Sequence, residues 1–463
     1  MPNLEWDLEV DVLVAGAGGA GLAAAILAHD AGASVAITEK LPRPGGNTAI
    51  STGSVPGAGT RFQRAAGIED DGARFERDLL ALSGSHDADH LVHALAHRSA
   101  ELVEWLVDDA GIRLDIITDY RHVGHSVPRL HAPSSRKGED LTNDLLAAVS
   151  RRDIPLALSS PVVSLLQDEN RIVVGAVTRS ADGAELRIGF KKLILCVNGF
   201  GQASDLVRRH CPEIAEAMYV GARGSEGEAI RWGEELGARM GNMKSYQAYA
   251  AILHPHGELL SWTTIEKGGI LVNEQGDRFG DEAIGYSGFA ASVKAQKGPV
   301  TAIFDQAIYE IAAREPWFKE ILDYGAVKPA GSVRELAVAL EVDERRLGAA
   351  FETYNRAASG EIADPFGRTE FGVAPLKPTF WHARVVPALL STQGGLMTDA
   401  EGRVLDRSGE RIPNLFAAGG AVAGISGREG GIGYSSGSGL LHALGLGWIA
   451  ARTATREIFS ESR

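Results

Sequence analysis

Cysteine is almost missing from this chain: Cys196 and Cys211 are the only two among 463 residues. Two thiols cannot build a disulfide scaffold, a four-cysteine zinc site or an iron–sulfur cluster. No Cys-x-x-Cys-His occurs, which excludes covalently attached c-type haem. Long apolar runs are missing as well, since no stretch of 18 uninterrupted apolar residues occurs, and no membrane span is expected. The opening MPNLEWDLEVDVLVAG carries acids where a secretion signal carries basic residues, and its apolar run is short. A cytoplasmic protein is therefore expected. Positive charge is in deficit, with 46 Lys and Arg against 60 Asp and Glu and a formal charge of −14. Nucleic acid and anionic membranes reward clustered cations, so neither is expected as a partner.

Glycine is what the chain has in excess: 56 residues, about 12% against a usual ~7%. With no collagen-like period, the surplus belongs in turns and where backbone approaches a ligand. The first such place is explicit. Asp11–Ala15 reads as a buried strand, Leu22–Ala31 as an apolar helix, and Ser34–Thr38 as a second strand, with Gly16-Ala17-Gly18-Gly19-Ala20-Gly21 at the first turn. In this βαβ unit Gly16 serves the tight turn, Gly18 admits a pyrophosphate and Gly21 lets helix and strand pack closely. The helix start offers partial positive charge to phosphates. Glu39, at the end of the second strand, accepts from a ribose hydroxyl. Together these predict dinucleotide binding.

Further helical patterns fill about 67–111 and 138–152, and strands are expected at Val162–Leu166, Ile172–Thr178 and Leu186–Leu195, the last two joined by an Ala181-Asp182-Gly183 hairpin. Residues 241–374 lose the glycine-turn texture and carry a long charged helix, Glu335–Thr353. A small-residue apolar helix closes the chain from about Gly437 to Ile458. The fold class expected is α/β, a Rossmann-like domain of residues 1–240 and 375–463 interrupted by a smaller α+β capping domain of 241–374.

The segment Lys40–Thr48 (KLPRPGGNT) resembles the second flavin-contacting loop of the fumarate reductase and succinate dehydrogenase flavoprotein family. The resemblance continues through Ser126–His131, Gly224–Gly227, Gly268–Asn273 and Pro413–Gly419, in the same order over nearly the whole chain. It implies FAD rather than NAD, with both ends of the chain closing around one flavin and a cap over its isoalloxazine. By that resemblance the cofactor-binding residues are Gly16, Gly18, Ala20, Gly21, Glu39, Lys40, Gly46, Asn47, Thr48, Ser51, Thr52, Gly53, Val163, Gly199, Glu226, Gly419, Gly437, Ser438 and Leu440. Gly420 stands where family members carry Glu after Ala-Ala-Gly, which puts that ribitol contact in doubt. No histidine lies in Gly45–Ser54, so the FAD is expected to be non-covalent.

The substrate positions depart from the diacid-handling members in one direction. Tyr249 stands at the histidine of the family's QAHP segment, here Gln247-Ala248-Tyr249, and Tyr286 at the proton-donating arginine. Ser391-Thr392-Gln393-Gly394-Gly395 lacks the histidine of the His-Thr-x-Gly-Gly motif, and Tyr434 replaces the second substrate arginine. Each carboxylate wants a bidentate cation, so fumarate reduction is disfavoured.

Phenols at these places resemble the ketosteroid dehydrogenases and related cyclic-ketone desaturases. The resemblance implies that Tyr286 takes the proton α to a ketone while the β-hydride goes to flavin N5. Tyr434, with the Ser438 amide, would hold the ketone oxygen. An α-proton becomes removable only if charge developing on that oxygen is stabilised by aimed donors. A free phenol has a pKa of ~10, so Tyr286 must be made more acidic by a neighbouring hydroxyl or act only as the proton leaves, and Tyr249 is a candidate relay. Ser391 and Thr392 are candidate substrate contacts. Arg428 is a candidate partner for one remaining carboxylate, as in 4-oxocyclohexanecarboxylate. Arg129 and His131 are candidates for the pocket wall, and no metal is expected. The rival readings are an ene-reductase acting on an enone or unsaturated acid, and a flavin-binding electron carrier without chemistry of its own. The electron acceptor stays open among oxygen, a quinone and a separate carrier.

Overall fold

Strands of a parallel sheet covered by helices on both sides are buried on both faces. Val12, Leu13, Val14 and Ala15 meet that condition, each 1% exposed or less. The computed structural model, which describes residues 5–118 and 122–461, places them in the strand Leu8–Ala15. That strand pairs in parallel with Val35–Thr38 on one side and Glu185–Leu195 on the other. Arg411–Ala417 then adds in parallel to Glu185–Leu195, and Leu156–Ala157 to Val35–Thr38. Both ends of the chain thus share one eight-stranded sheet. The helix Gly19–Asp30 makes the first crossover, and the C-terminal helix Ser438–Glu461 packs along it.

Two helical expectations are redrawn by local capping. The pattern over 67–111 resolves into Gly72–Ser83 and Asp89–Asp108, preceded by the short Arg61–Ala65. Asp71 caps the first of these by accepting from the Arg74 amide, and Gly84, at φ 64°, ends it. The long helix expected at Glu335–Thr353 is two helices, Val333–Leu340 and Glu344–Ala358. Asp343 accepts from the Arg346 amide and so restarts the helix rather than continuing it.

A second, seven-stranded sheet is organised around Phe380–Thr392, which pairs antiparallel with Lys244–Leu253 and with Val300–Asp305. It therefore draws its longest strand from beyond residue 374, and it has a separate buried core that includes Phe304, Phe318, Tyr354 and Phe380. The observed architecture is a mixed helix-and-sheet fold of the α/β class. Among the described residues no helix is long and apolar enough to cross a membrane.

Candidate active site

A cavity of about 1640 Å³ is lined from both sheets. Glu39, Lys40 and Val162 line it, as do Gly16, Gly18, Gly19 and Ala20 of the first turn, and Tyr249, Tyr286 and Tyr434. The glycine turn has the geometry its sequence promised. Gly16 has φ 107°, and a Cβ there would lie 2.3 Å from the Cys196 carbonyl oxygen. At Gly21 a Cβ would lie 1.9 Å from the Gly16 carbonyl oxygen, so helix and strand are in backbone contact. Gly18 differs: its Cβ would meet nothing nearer than the Gly45 carbonyl oxygen at 3.8 Å, and the residue faces the cavity. A side chain there would occupy ligand space, not protein.

The surrounding groups suit a dinucleotide. Glu39 accepts from the amides of Ala17 and Leu41, both at 2.8 Å, which fixes its carboxylate in the cavity wall with lone pairs to spare for ribose hydroxyls. The Gly19 amide donates to Thr48 Oγ1 at 3.1 Å, tying the KLPRPGGNT loop to the helix start. Gly46, Asn47, Thr48, Ser51, Thr52, Gly419, Gly437 and Leu440 all line the cavity. Glu228 Oε2 is buried there without a partner, an acceptor that a bound nucleotide would satisfy. These features fit FAD.

Several expected contacts act one step removed. Glu226 is 59% exposed and pairs with Lys40 at 2.9 Å, outside the cavity wall, while Glu228, two residues on, pairs with Lys40 from inside it. Val163 sits in a bulge of its strand, and its neighbour Val162 provides the wall. Gly53 shapes the loop from behind by donating its amide to Ser51 Oγ at 3.1 Å. Gly199 packs against Thr392 Oγ1, where a Cβ would come within 2.4 Å, and Asn198 lines the cavity instead. Gly420 is explained by the same asparagine: a Cβ there would lie 2.4 Å from Asn198 Oδ1, leaving no room for the glutamate of other members.

The three tyrosines gather at one place. The Tyr249 and Tyr286 rings are 5.1 Å apart and the Tyr286 and Tyr434 rings 6.3 Å, with Trp262 6.5 Å from Tyr286. Burial pushes the Tyr286 phenol well above its ordinary pKa, helped by the neighbouring phenols and opposed by a hydrogen bond with the Ser436 side chain. Ser436, which the sequence did not single out, lines the same cavity. Tyr249 is a correction to the expected relay, because its hydroxyl donates to the Leu260 carbonyl at 2.7 Å. Tyr434 is also raised by burial, and the Gly439 amide and Ser438 side chain hold it down.

Ser438 needs a second correction. Its amide donates to the Ser435 carbonyl at 3.1 Å, so it is spent inside the turn. Gly439, one residue on, lines the cavity beside the Tyr434 hydroxyl, which a Cβ on Gly439 would approach to 2.9 Å. The turn itself is pinned from outside: His125 Nε2 lies 2.8 Å from the Ser436 carbonyl oxygen, and the Ser436 amide donates to the Val123 carbonyl at 3.0 Å.

Ser391 and Thr392 line the cavity as expected, with Ser391 Oγ 3.2 Å from Gln247 Oε1 and Thr392 Oγ1 accepting from the Phe200 amide at 3.0 Å. Arg428 does not reach it. That side chain is 63% exposed and pairs with Asp87 at 3.1 Å, so the expected carboxylate contact is not formed. Arg129 is fully buried between Asp70 and Asp78, a structural ion pair and not pocket wall, and His131 meets Thr60 at 3.0 Å. On the surface, Glu76 lies 3.0–3.1 Å from His93 Nδ1 and His97 Nε2, a cluster with metal-ligand spacing that the i, i+4 histidines could have signalled.

Comparison with known proteins agrees with this geometry. The family model described as an FAD binding domain matches residues 11–435. The NADH:fumarate oxidoreductase of Klebsiella pneumoniae (strain 342) is 33% identical over 90% of this chain, and the chain spans 45% of that protein's length. The open conformation of a flavocytochrome c3 fumarate reductase aligns with a TM-score of 0.82 at 27% identity, covering 97% of this chain and 79% of that one. The 3-ketosteroid-Δ4-(5α)-dehydrogenase of Rhodococcus jostii RHA1, solved with 4-androstene-3,17-dione, aligns with a TM-score of 0.79 at 26% identity over 98% of both chains. The chain belongs to the FAD-binding flavoprotein family that contains these oxidoreductases, and FAD is its cofactor.

Proposed function

We propose that this protein carries out FAD-dependent α,β-dehydrogenation of a neutral cyclic ketone. The observation that carries this reading is the Tyr286–Tyr434 pair at one wall of the flavin cavity, with Gly439 beside Tyr434 and tyrosines standing at the two positions where the resemblance expects substrate arginines. When bound, FAD would supply the two-electron acceptor for the hydride that leaves the substrate's β-carbon.

The chain's own residues handle the proton and the carbonyl. Tyr434 donates its hydroxyl hydrogen to the ketone oxygen, and the start of the 24-residue helix against which that hydroxyl lies favours the donation. Tyr286 receives the α-proton as its phenolate and ends as the neutral phenol, its own proton having left to solvent beforehand. Trp262 and Tyr249 close the wall behind Tyr286 and exclude water. The division into 1–240, 241–374 and 375–463 belongs to this proposal, with residues 241–374 as the cap and Phe380–Thr392 completing the cap's sheet.

The reverse reaction, reduction of an enone, is served by the same groups. It is favoured by one observation: burial keeps Tyr286 protonated, as a proton donor must be. Anaerobic mixing separates the directions. Bleaching of oxidised flavin by saturated cyclic ketones is expected; reoxidation of reduced flavin by enones, with no bleaching by any ketone, would reverse the assignment. An electron carrier would show neither reaction. The electron acceptor is proposed to be oxygen, a quinone or a separate carrier.

A further inference from the structure

The outer part of the cavity has a polarity that the ketone chemistry does not use. Ile252, Leu259, Ile311 and Ile321 line it, interrupted by the acids Glu258, Glu266, Glu315 and Glu320 and the bases Lys267 and Arg314, a net negative wall. Glu315 is occupied: its two oxygens accept from Ser261 Oγ at 2.7 Å and Thr263 Oγ1 at 2.6 Å. Glu266, the last residue of the short helix Thr263–Glu266, makes no hydrogen bond or ion pair with any described residue. Its open surface faces the cavity, and its charge bears on both Tyr249 and Tyr286, so it shares the phenols' compartment. Being enclosed away from bulk water raises its carboxyl to about 7, Glu315 adds to the rise and Lys267 opposes it.

Glu266 is exposed, and a ligand that fills the cavity strips water from its carboxylate, a cost that a donor on the ligand relieves. A ligand that brings a second carboxylate meets repulsion instead. Resting on the ketone reading above, we propose that Glu266 accepts a hydrogen bond from a hydroxyl or amine at the end of the substrate remote from its ketone. The site then selects donor-ended cyclic ketones and rejects keto-acids. This assigns the substrate class from the cavity's far wall and not from the phenols.

Two ketone frames test this, 4-(hydroxymethyl)cyclohexanone and 6-hydroxy-2-decalone, each compared with its methyl ether and with the matching carboxylic acid. Dissociation constants are read from perturbation of the flavin absorbance of the FAD-loaded protein, separately from bleaching. The alcohol of at least one frame is expected to bind about 10–100-fold tighter than its ether at pH 8, the worth of a charged hydrogen bond. That preference is expected to shrink toward pH 6 as Glu266 protonates. Glu266→Gln should reduce it and Glu266→Leu abolish it, and both variants should bind the acids better than the wild type does. Equal binding of alcohol and ether in both frames, or an alcohol preference that survives Glu266→Leu, overturns the role of Glu266. A Glu266-dependent preference without bleaching by any ketone keeps that role and overturns the dehydrogenation reading instead.

Discussion

The hydroxyl of Tyr434 lies against Gly439, five residues further along the chain and inside the first turn of the Ser438–Glu461 helix, where a Cβ on Gly439 would stand 2.9 Å from it. A phenol at a helix start becomes a better donor to whatever oxygen faces it, because the positive end of the helix stabilises the negative charge that develops on the phenol oxygen.

Replacing that phenol should therefore damage chemistry and not assembly. Tyr434→Phe is expected to slow anaerobic flavin reduction by ketone about 10²–10³-fold, the usual cost of one carbonyl-polarising donor. Tyr286→Phe is expected to slow it about 10²–10⁴-fold as a lost proton acceptor. Both variants should retain the bound-flavin spectrum. Normal turnover in both would remove the tyrosines from the mechanism.

The pH dependence follows from the raised Tyr286 phenol. Dehydrogenation needs its proton gone, so the rate should climb tenfold per pH unit from 6 to 9 without levelling. Enone reduction needs the proton present and should stay flat over the same range. Stopped-flow rates in both directions check this, and Tyr286→Phe should erase the slope.

Gly18 and Gly21 should part company when changed to alanine. A Cβ at Gly21 runs into the Gly16 carbonyl, so Gly21→Ala is expected to yield little folded protein. A Cβ at Gly18 meets only cavity, so Gly18→Ala should fold and lose FAD affinity. Circular dichroism and flavin retention after desalting distinguish the two.

Acid should unfold the protein through buried imidazoles. Burial depresses His125, His131 and His442 to about 4. In each case the unfolded chain binds a proton from pH 6.5 downward while the folded chain refuses it until about 4. Stability held above pH 6.5 is lost across that window, at the order of 3 kcal/mol per histidine by its lower end. Urea midpoints at pH 7 and pH 5 measure it, and His442→Leu should narrow the gap between them.

The nucleotide half of the site was legible because its signals are local. Gly16, Gly18, Gly21 and Glu39 fall within one βαβ unit, where spacing fixes geometry. Tyr286 and Tyr434 were legible only by position within a resemblance, since 148 residues of sequence separate them (434 minus 286). What stayed hidden was side-chain direction. Nothing in the chain order says that Arg428 turns to Asp87, that Tyr249 commits its hydroxyl to Leu260, or that Glu228 and not Glu226 faces inward. The Ser438 amide was missed for a related reason: a turn-closing hydrogen bond shifts the free donor by one residue.

Tyr286 follows the second sheet's strands in the fold, whereas Tyr434 is carried on the loop that His125 and Val123 fasten to the nucleotide-binding half. In the proposed mechanism the proton acceptor and the carbonyl donor are thus held by contacts to different sheets, while the phosphate-facing glycines belong to the first sheet's opening turn. Substitutions that disturb the second sheet's contacts around Tyr286 are then expected to slow proton removal with FAD retained.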